Sequence, residues 1–192
     1  QLSTDEQTQA IFDLGHQIGN LAQNRFPNGK DATPEDFSDF SPSIEKTKLW
    51  IAEEVETIYE ATLTAKNALC MLDILHRMND EIWAIEVKNS TSVKDYHLTD
   101  ASLQYFVMKE AGYAPDKFFL MHINNQYIKN GELTDEFFHL EDITDKVLSK
   151  QTWVEENLER LLVMLENKQE PNVSIGAHCS SPFACDFVHH CW

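Results

Sequence analysis

Apolar positions along the chain follow two periods. Ile11, Leu14, Ile18 and Leu21 recur three and four residues apart, which predicts a helix over 5–24. A long loop, 25–43, holds Pro27, Pro34 and Pro42 among many acids, and a second helix over 43–54 places Ile44, Ile51 and Val55 on one side. The pattern then shortens to the strand period. Runs at 57–63, 68–75 and 82–88 are short, apolar and bounded by polar residues. A polar loop over 89–97 leads into a helix over 99–111 with Leu103, Phe106 and Val107 as its core stripe, stopped by Gly112. Lys117–Ile123 and 137–140 read as further strands. Helices over 142–149 and 152–168 follow, the second striped by Val154, Leu158, Leu161 and Leu165. Strands interleaved with helices predict an α/β domain on a parallel or mixed sheet.

Two of the strand runs carry charge where a buried strand should have none. Ala68–Leu75 and Ile82–Lys88 flank the turn signal Asn79-Asp80, which predicts a hairpin. With the turn there, Asp73 falls opposite Glu86, at roughly 5 Å between Cβ atoms. Glu86 and Lys88 are two residues apart and share a face. Opposed carboxylates on a half-buried sheet repel unless a cation lies between them, and a divalent ion with oxygen ligands is the natural occupant. Glu60, in the middle of 57–63, has two readings: an outward residue of an edge strand, or a third acid beside this site.

The 192 residues suffice for one domain with a sizeable core, and 42% apolar with 10% aromatic content predicts a globular chain. No run is long enough for a membrane span and no secretory leader is visible. A net charge of −17 argues against a large nucleic-acid footprint on this piece alone, although metal ions neutralise a phosphodiester locally. Gln1 at the start and Trp192 just after the last cysteine read as cuts through a longer protein.

Several other groups are candidates for chemistry. His16 lies in the first helix with Gly15 and Gly19, which mark close packing or room near the backbone. Its ordinary role is a surface or hydrogen-bonded His. Lys94 in the polar loop is either a phosphate contact or a solvated lysine. Gln104 and Tyr105 form a polar pair on the third helix, and Asp100, Gln104 and Met108 lie at four-residue steps on one face. A second Glu-x-Lys, Glu166-Asn167-Lys168, ends a leucine-striped helix and reads as surface. The tail clusters Cys179, Cys185 and Cys191 with His178, His189 and His190. Clustered thiols without a secretory signal read as metal or cluster ligands before disulfides. A tetrahedral site needs four ligands and only three thiols are local; His178, His189 or His190 could complete a zinc site. Cys70, on the hairpin strand, reads as an inert buried thiol.

Asp73, then Glu86-Val87-Lys88, then Gln104 on the next helix resembles the PD-(D/E)XK nuclease superfamily in its RecB-like branch. The chain is most similar to an uncharacterised bacterial family of that branch with a C-terminal cysteine cluster. The likeness spans nearly the whole chain. It runs through Phe12-x-x-Gly15-His16-x-Ile18-Gly19, Asp73-Ile74-Leu75, Glu86 to Thr91, Val93 to Tyr96, Gln104-Tyr105 and Gly176 to Trp192. The resemblance implies a mixed four- or five-stranded sheet flanked by helices, with a nuclease-like domain over 1–170 and a cysteine-rich segment over 171–192 packed on it. It implies that Asp73, Glu86 and the Val87 carbonyl bind Mg²⁺ or Mn²⁺. Lys88 would orient or activate the attacking water, and Gln104 would hold substrate or support the site. It further implies a cytoplasmic, exonuclease-like hydrolase acting on DNA rather than RNA. Cys179, Cys185 and Cys191 would be three ligands of a [4Fe–4S] cluster that this chain leaves incomplete. Two positions depart from the pattern: Gly19 stands where a metal-binding His is usual, and Met108 where a Tyr follows the helix Gln. Both departures fit an alternative, a catalytically inactive module that binds nucleic acid or acts as an iron–sulfur or zinc scaffold.

Overall fold

The computed structural model describes residues 6–192, with side chains from residue 9 onward. Asp5, where the first predicted helix begins, lies outside the described residues. Contacts divide the chain into two compact units, one ending at Val154 and the other spanning Glu155–Trp192.

The first unit is built on a six-stranded mixed sheet in the order β1 to β6. Its strands are β1 (Lys30–Asp31), β2 (Thr57–Ala65), β3 (Ala68–Met78), β4 (Glu81–Lys88), β5 (Lys117–Ile123) and β6 (Phe138–Asp142). The sequence predicts one strand fewer: the two-residue β1 sits inside the acidic loop, where no apolar alternation marks it. The helices are α1 (Glu6–Gln23), α2 (Ser41–Ala52), α3 (Asp95–Glu110) and α4 (Thr144–Ser149), with α5 (Gln151–Glu166) starting at the end of this unit. α3 begins at Asp95, inside the predicted polar loop, and β6 runs through Asp142, where a helix is predicted.

Local chemistry explains the boundaries. Pro42 lies in the first turn of α2, where its missing N–H costs nothing. Gly112, at φ +89°, ends α3 in the left-handed region that glycine adopts freely. Asn79, at φ +56°, makes the two-residue turn that pairs Met78 with Glu81.

The sheet is buried on both faces. Ala84, Phe118 and Leu120 pack with Ala101, Val107 and Met108 of α3 and Val147 of α4. Ile74, Ile85 and Met121 pack on the other side with Ile18 and Ala22 of α1. Burying each large aliphatic side chain contributes about 1.5–3 kcal/mol, so the alternation along β4 and β5 fixes which residues face α3.

The central strand β4 is antiparallel to β3 and parallel to β5. Its pairing with β3 ends at Ile74–Ile85, whereas its pairing with β5 continues to Lys88–His122. Glu86, Val87 and Lys88 therefore have a strand on one side only. In α/β sheets, such a parting at the carboxyl end of a strand opens a crevice that binds ligands.

The second unit contains the rest of α5, a short 3₁₀ turn at Ala177–Cys179 and α6 (Val188–Cys191). Its loops are tied by the Cys185 N–H to the Cys179 carbonyl at 2.9 Å and by His190 Nε2 to Glu170 at 2.9 Å. No helix among the described residues is long and apolar enough to cross a membrane.

Candidate active site

The parting of β3 and β4 is filled by charge. Asp73 sits on β3 one step beyond the last paired residue, opposite Glu86 as the hairpin register requires. The Val87 N–H, which has lost its strand partner, donates to Asp73 Oδ2 at 2.6 Å. Glu86 is buried and uses both oxygens: Lys88 Nζ donates to Oε1 at 2.7 Å and Gln104 Nε2 donates to Oε2 at 2.9 Å. Lys88 Nζ also reaches Asp100 Oδ2 of α3 at 2.6 Å. The ammonium is thus clamped between two carboxylates.

Electrostatics follow from this packing. Burial, then repulsion from Glu60, pushes the Asp73 carboxyl well above the usual carboxylate range. Burial, then repulsion from Asp73, does the same to Glu86. Burial alone would lower the Lys88 ammonium, but Glu86 and Asp100 outweigh it and hold it above its ordinary value. Lys88 is therefore a fixed positive charge.

Glu60 belongs to the same cluster. It lies across from Asp73 in the β2–β3 register, between the pairs Tyr59–Ile74 and Ala61–Leu72. Tyr59 and Ile74 belong to the core on the α1 side, whereas Ala61 and Leu72 belong to the core under α3. Both strands therefore change facing within two residues. The change is made at Glu60, which has φ +53°. A left-handed non-glycine residue in mid-strand costs about 1–3 kcal/mol and concentrates at functional sites. Burial, then Glu86, then Asp31 pushes its carboxyl up to about 7. Of the two readings of Glu60, the geometry supports the acid beside the site.

The remaining candidates separate. Gln104 is buried and faces the site, and Met108 is buried in the core beneath α3. His16 is exposed on α1. A Cβ at Gly15 or Gly19 would meet nothing within 4 Å, so these glycines leave open space rather than close packing. Lys94 is exposed. Cys70 is buried, and burial pushes its thiol up to about 12, as an inert core thiol requires. Cys179, Cys185 and Cys191 are all free thiols. Among the described residues, no three ligating atoms of the tail lie within 4.8 Å of one another.

No protein-family model matches the chain, and no curated protein matches it. Among solved structures, one described as "Crystal structure of SSO0001" is 15% identical over 80% of this chain and 68% of that one, with a TM-score of 0.30. A likeness of that size carries no argument about fold or function.

The donor set of the crevice fits a hard divalent cation. Asp73 and Glu86 supply carboxylate oxygens that repel each other, and Gln104 Oε1 is buried without a hydrogen-bond partner. Among the described residues, Glu60, Asp73 and Glu86 do not bring three carboxylate oxygens within 4.8 Å of one another; Asp73 instead meets the Val87 N–H and Glu86 meets Lys88. Replacing Gln104 by Leu leaves Glu86 Oε2 buried and unpaired. We expect a loss of about 1–3 kcal/mol in urea unfolding at neutral pH, and an unchanged midpoint would show that the pair contributes nothing.

Proposed function

We propose that this chain is a metal-dependent nuclease that hydrolyses DNA phosphodiester bonds in an exonuclease-like manner. The observation that carries the reading is the pair of opposed acids, half-buried Asp73 and buried Glu86, with the Lys88 ammonium held beside them at the parting of β3 and β4. Asp73 and Glu86, with the Val87 carbonyl, would hold Mg²⁺ or Mn²⁺. Such an ion polarises a phosphoryl oxygen and makes bound water a nucleophile at neutral pH.

The chain's own residues do the rest. Lys88 places positive charge where negative charge develops on the phosphoryl oxygens. Asp100 and Glu86 hold it from two sides, which keeps the ammonium beside the crevice. Gln104 holds Glu86 from the helix side and keeps its second oxygen from swinging away. The four free cysteines fit a reducing compartment, and the cytoplasm is the location proposed.

Manganese-dependent degradation of an end-labelled DNA oligonucleotide tests the reading. The parent should cut, and Asp73→Ala should reduce cleavage to background. If Asp73→Ala cuts as fast as the parent, the activity belongs to another site. A second reading, a nuclease-fold module that binds without cutting, is favoured by Met108 being locked in the core where the resembled pattern places a Tyr. It predicts Mn²⁺ binding that Asp73→Ala abolishes, with no cleavage by the parent.

A further inference from the structure

A second group of ligating side chains lies on the α3 face of the sheet at its β5–β6 end. His122 and His139 are register partners, and Glu141 is two residues beyond His139 on the same face. One ligand atom from each lies within 4.8 Å of the other two. The two rings stand 5.2 Å apart between centroids, and His122 Nε2 is 3.9 Å from Glu141 Oε2. That distance is too long for a hydrogen bond, so the pair is not explained as one.

Two further contacts orient the group. His122 Nδ1 lies 3.2 Å from the Ile123 carbonyl, and a carbonyl only accepts, so this contact fixes the proton on Nδ1. Nε2 is then left to ligate, on the side of the ring that approaches Glu141 to 3.9 Å. Glu141 Oε1 accepts from Lys146 Nζ at 2.7 Å, which leaves Oε2 for the histidines. Outer hydrogen bonds to the far nitrogen of a ligating His and to a ligating carboxylate are what metal sites use to set direction. The three side chains line a cavity of about 470 Å³ shared with Ser92, Lys94 and Lys146.

We propose that His122, His139 and Glu141 form a second cation site, for a divalent transition ion such as Zn²⁺, with an open coordination position facing this cavity. Two histidines and one carboxylate are softer than the all-oxygen set at Asp73 and Glu86, so the two sites prefer different ions. An anion subsite is the poorer fit, because Glu141 adds negative charge to the cavity wall and neutralises Lys146. The assignment stands on these residues alone and does not require nuclease activity.

Calorimetric titration with Zn²⁺ tests it, on the full chain carrying Asp73→Asn with Cys179→Ser, Cys185→Ser and Cys191→Ser. These changes silence the other two candidate ion sites. One equivalent should bind with micromolar affinity or tighter, and Co²⁺ should give visible bands without thiolate charge transfer. Adding His139→Ala or Glu141→Gln, at positions open enough to spare the fold, should weaken binding by about ten- to a hundredfold or more. No Zn²⁺ binding, equal affinity in both variants, or inorganic phosphate binding in place of Zn²⁺ would overturn the assignment.

Discussion

Replacing Lys88 by Met lowers DNA cleavage at saturating Mn²⁺ by about two to three orders of magnitude, while Mn²⁺ still binds. The magnitude is that of deleting one preorganised donor from a site where charge develops, about 2.7–4 kcal/mol of barrier. The direction on metal binding follows from the charges. The Lys88 ammonium competes with a cation for Glu86 Oε1, which it meets at 2.7 Å. Removing it frees that oxygen and leaves Glu86 and Asp100 with less opposing charge, so Mn²⁺ affinity holds or rises. Calorimetry and single-turnover cleavage on the same protein separate the two effects. An unchanged rate would mean that Lys88 is only a structural counter-charge.

Metal-free protein loses stability as pH rises from 5 toward 8, and Mn²⁺ removes most of that loss. Glu60, Asp73 and Glu86 all have folded-state affinities for protons above those of the unfolded chain, with Glu60 near 7. Their contribution is fully present below the ordinary carboxylate range and is lost as pH rises through the raised values. Each proton held only by the folded state is worth at most about 1.4 kcal/mol per pH unit, less for the partly open Glu60. Lys88 keeps its charge through this window, so it does not reverse the sign. Asp31 faces Glu60 and Asp100 faces Glu86 and Asp73, and both add repulsion. A cation at about a hundred times its Kd adds about 2.7 kcal/mol, or about 5–10 °C of Tm for a chain of this size. Melting curves with Mn²⁺ and with chelator should diverge more at pH 8 than at pH 5, and Asp73→Asn should close the gap. Equal gaps at the two pH values would show that the acids are not the ion's ligands.

The hairpin was legible because its signals agree. Apolar alternation, the Asn79-Asp80 turn and the misplaced charges lead to one register, and that register places Asp73 opposite Glu86. Gln104 was legible as a polar residue on the next helix. Asp100 lay one helical turn before it, but only the packing of α3 shows that it holds Lys88. The strand that turns inside out at Glu60 had no signal, because nothing in Tyr-Glu-Ala marks a left-handed residue. His122, His139 and Glu141 stayed hidden for another reason. Fourteen residues separate Ile123 from Phe138, and a connection of that length leaves the register of two short strands open.

Position 60 sets up a conflict between two selections. A glycine there would relax the φ of +53° and delete a half-buried acid, so a screen for heat resistance alone should enrich it. The same replacement strips an acid from the wall of the crevice. Thermally hardened descendants of this chain should therefore lose cation capture early, and descendants selected for capture should keep the kink.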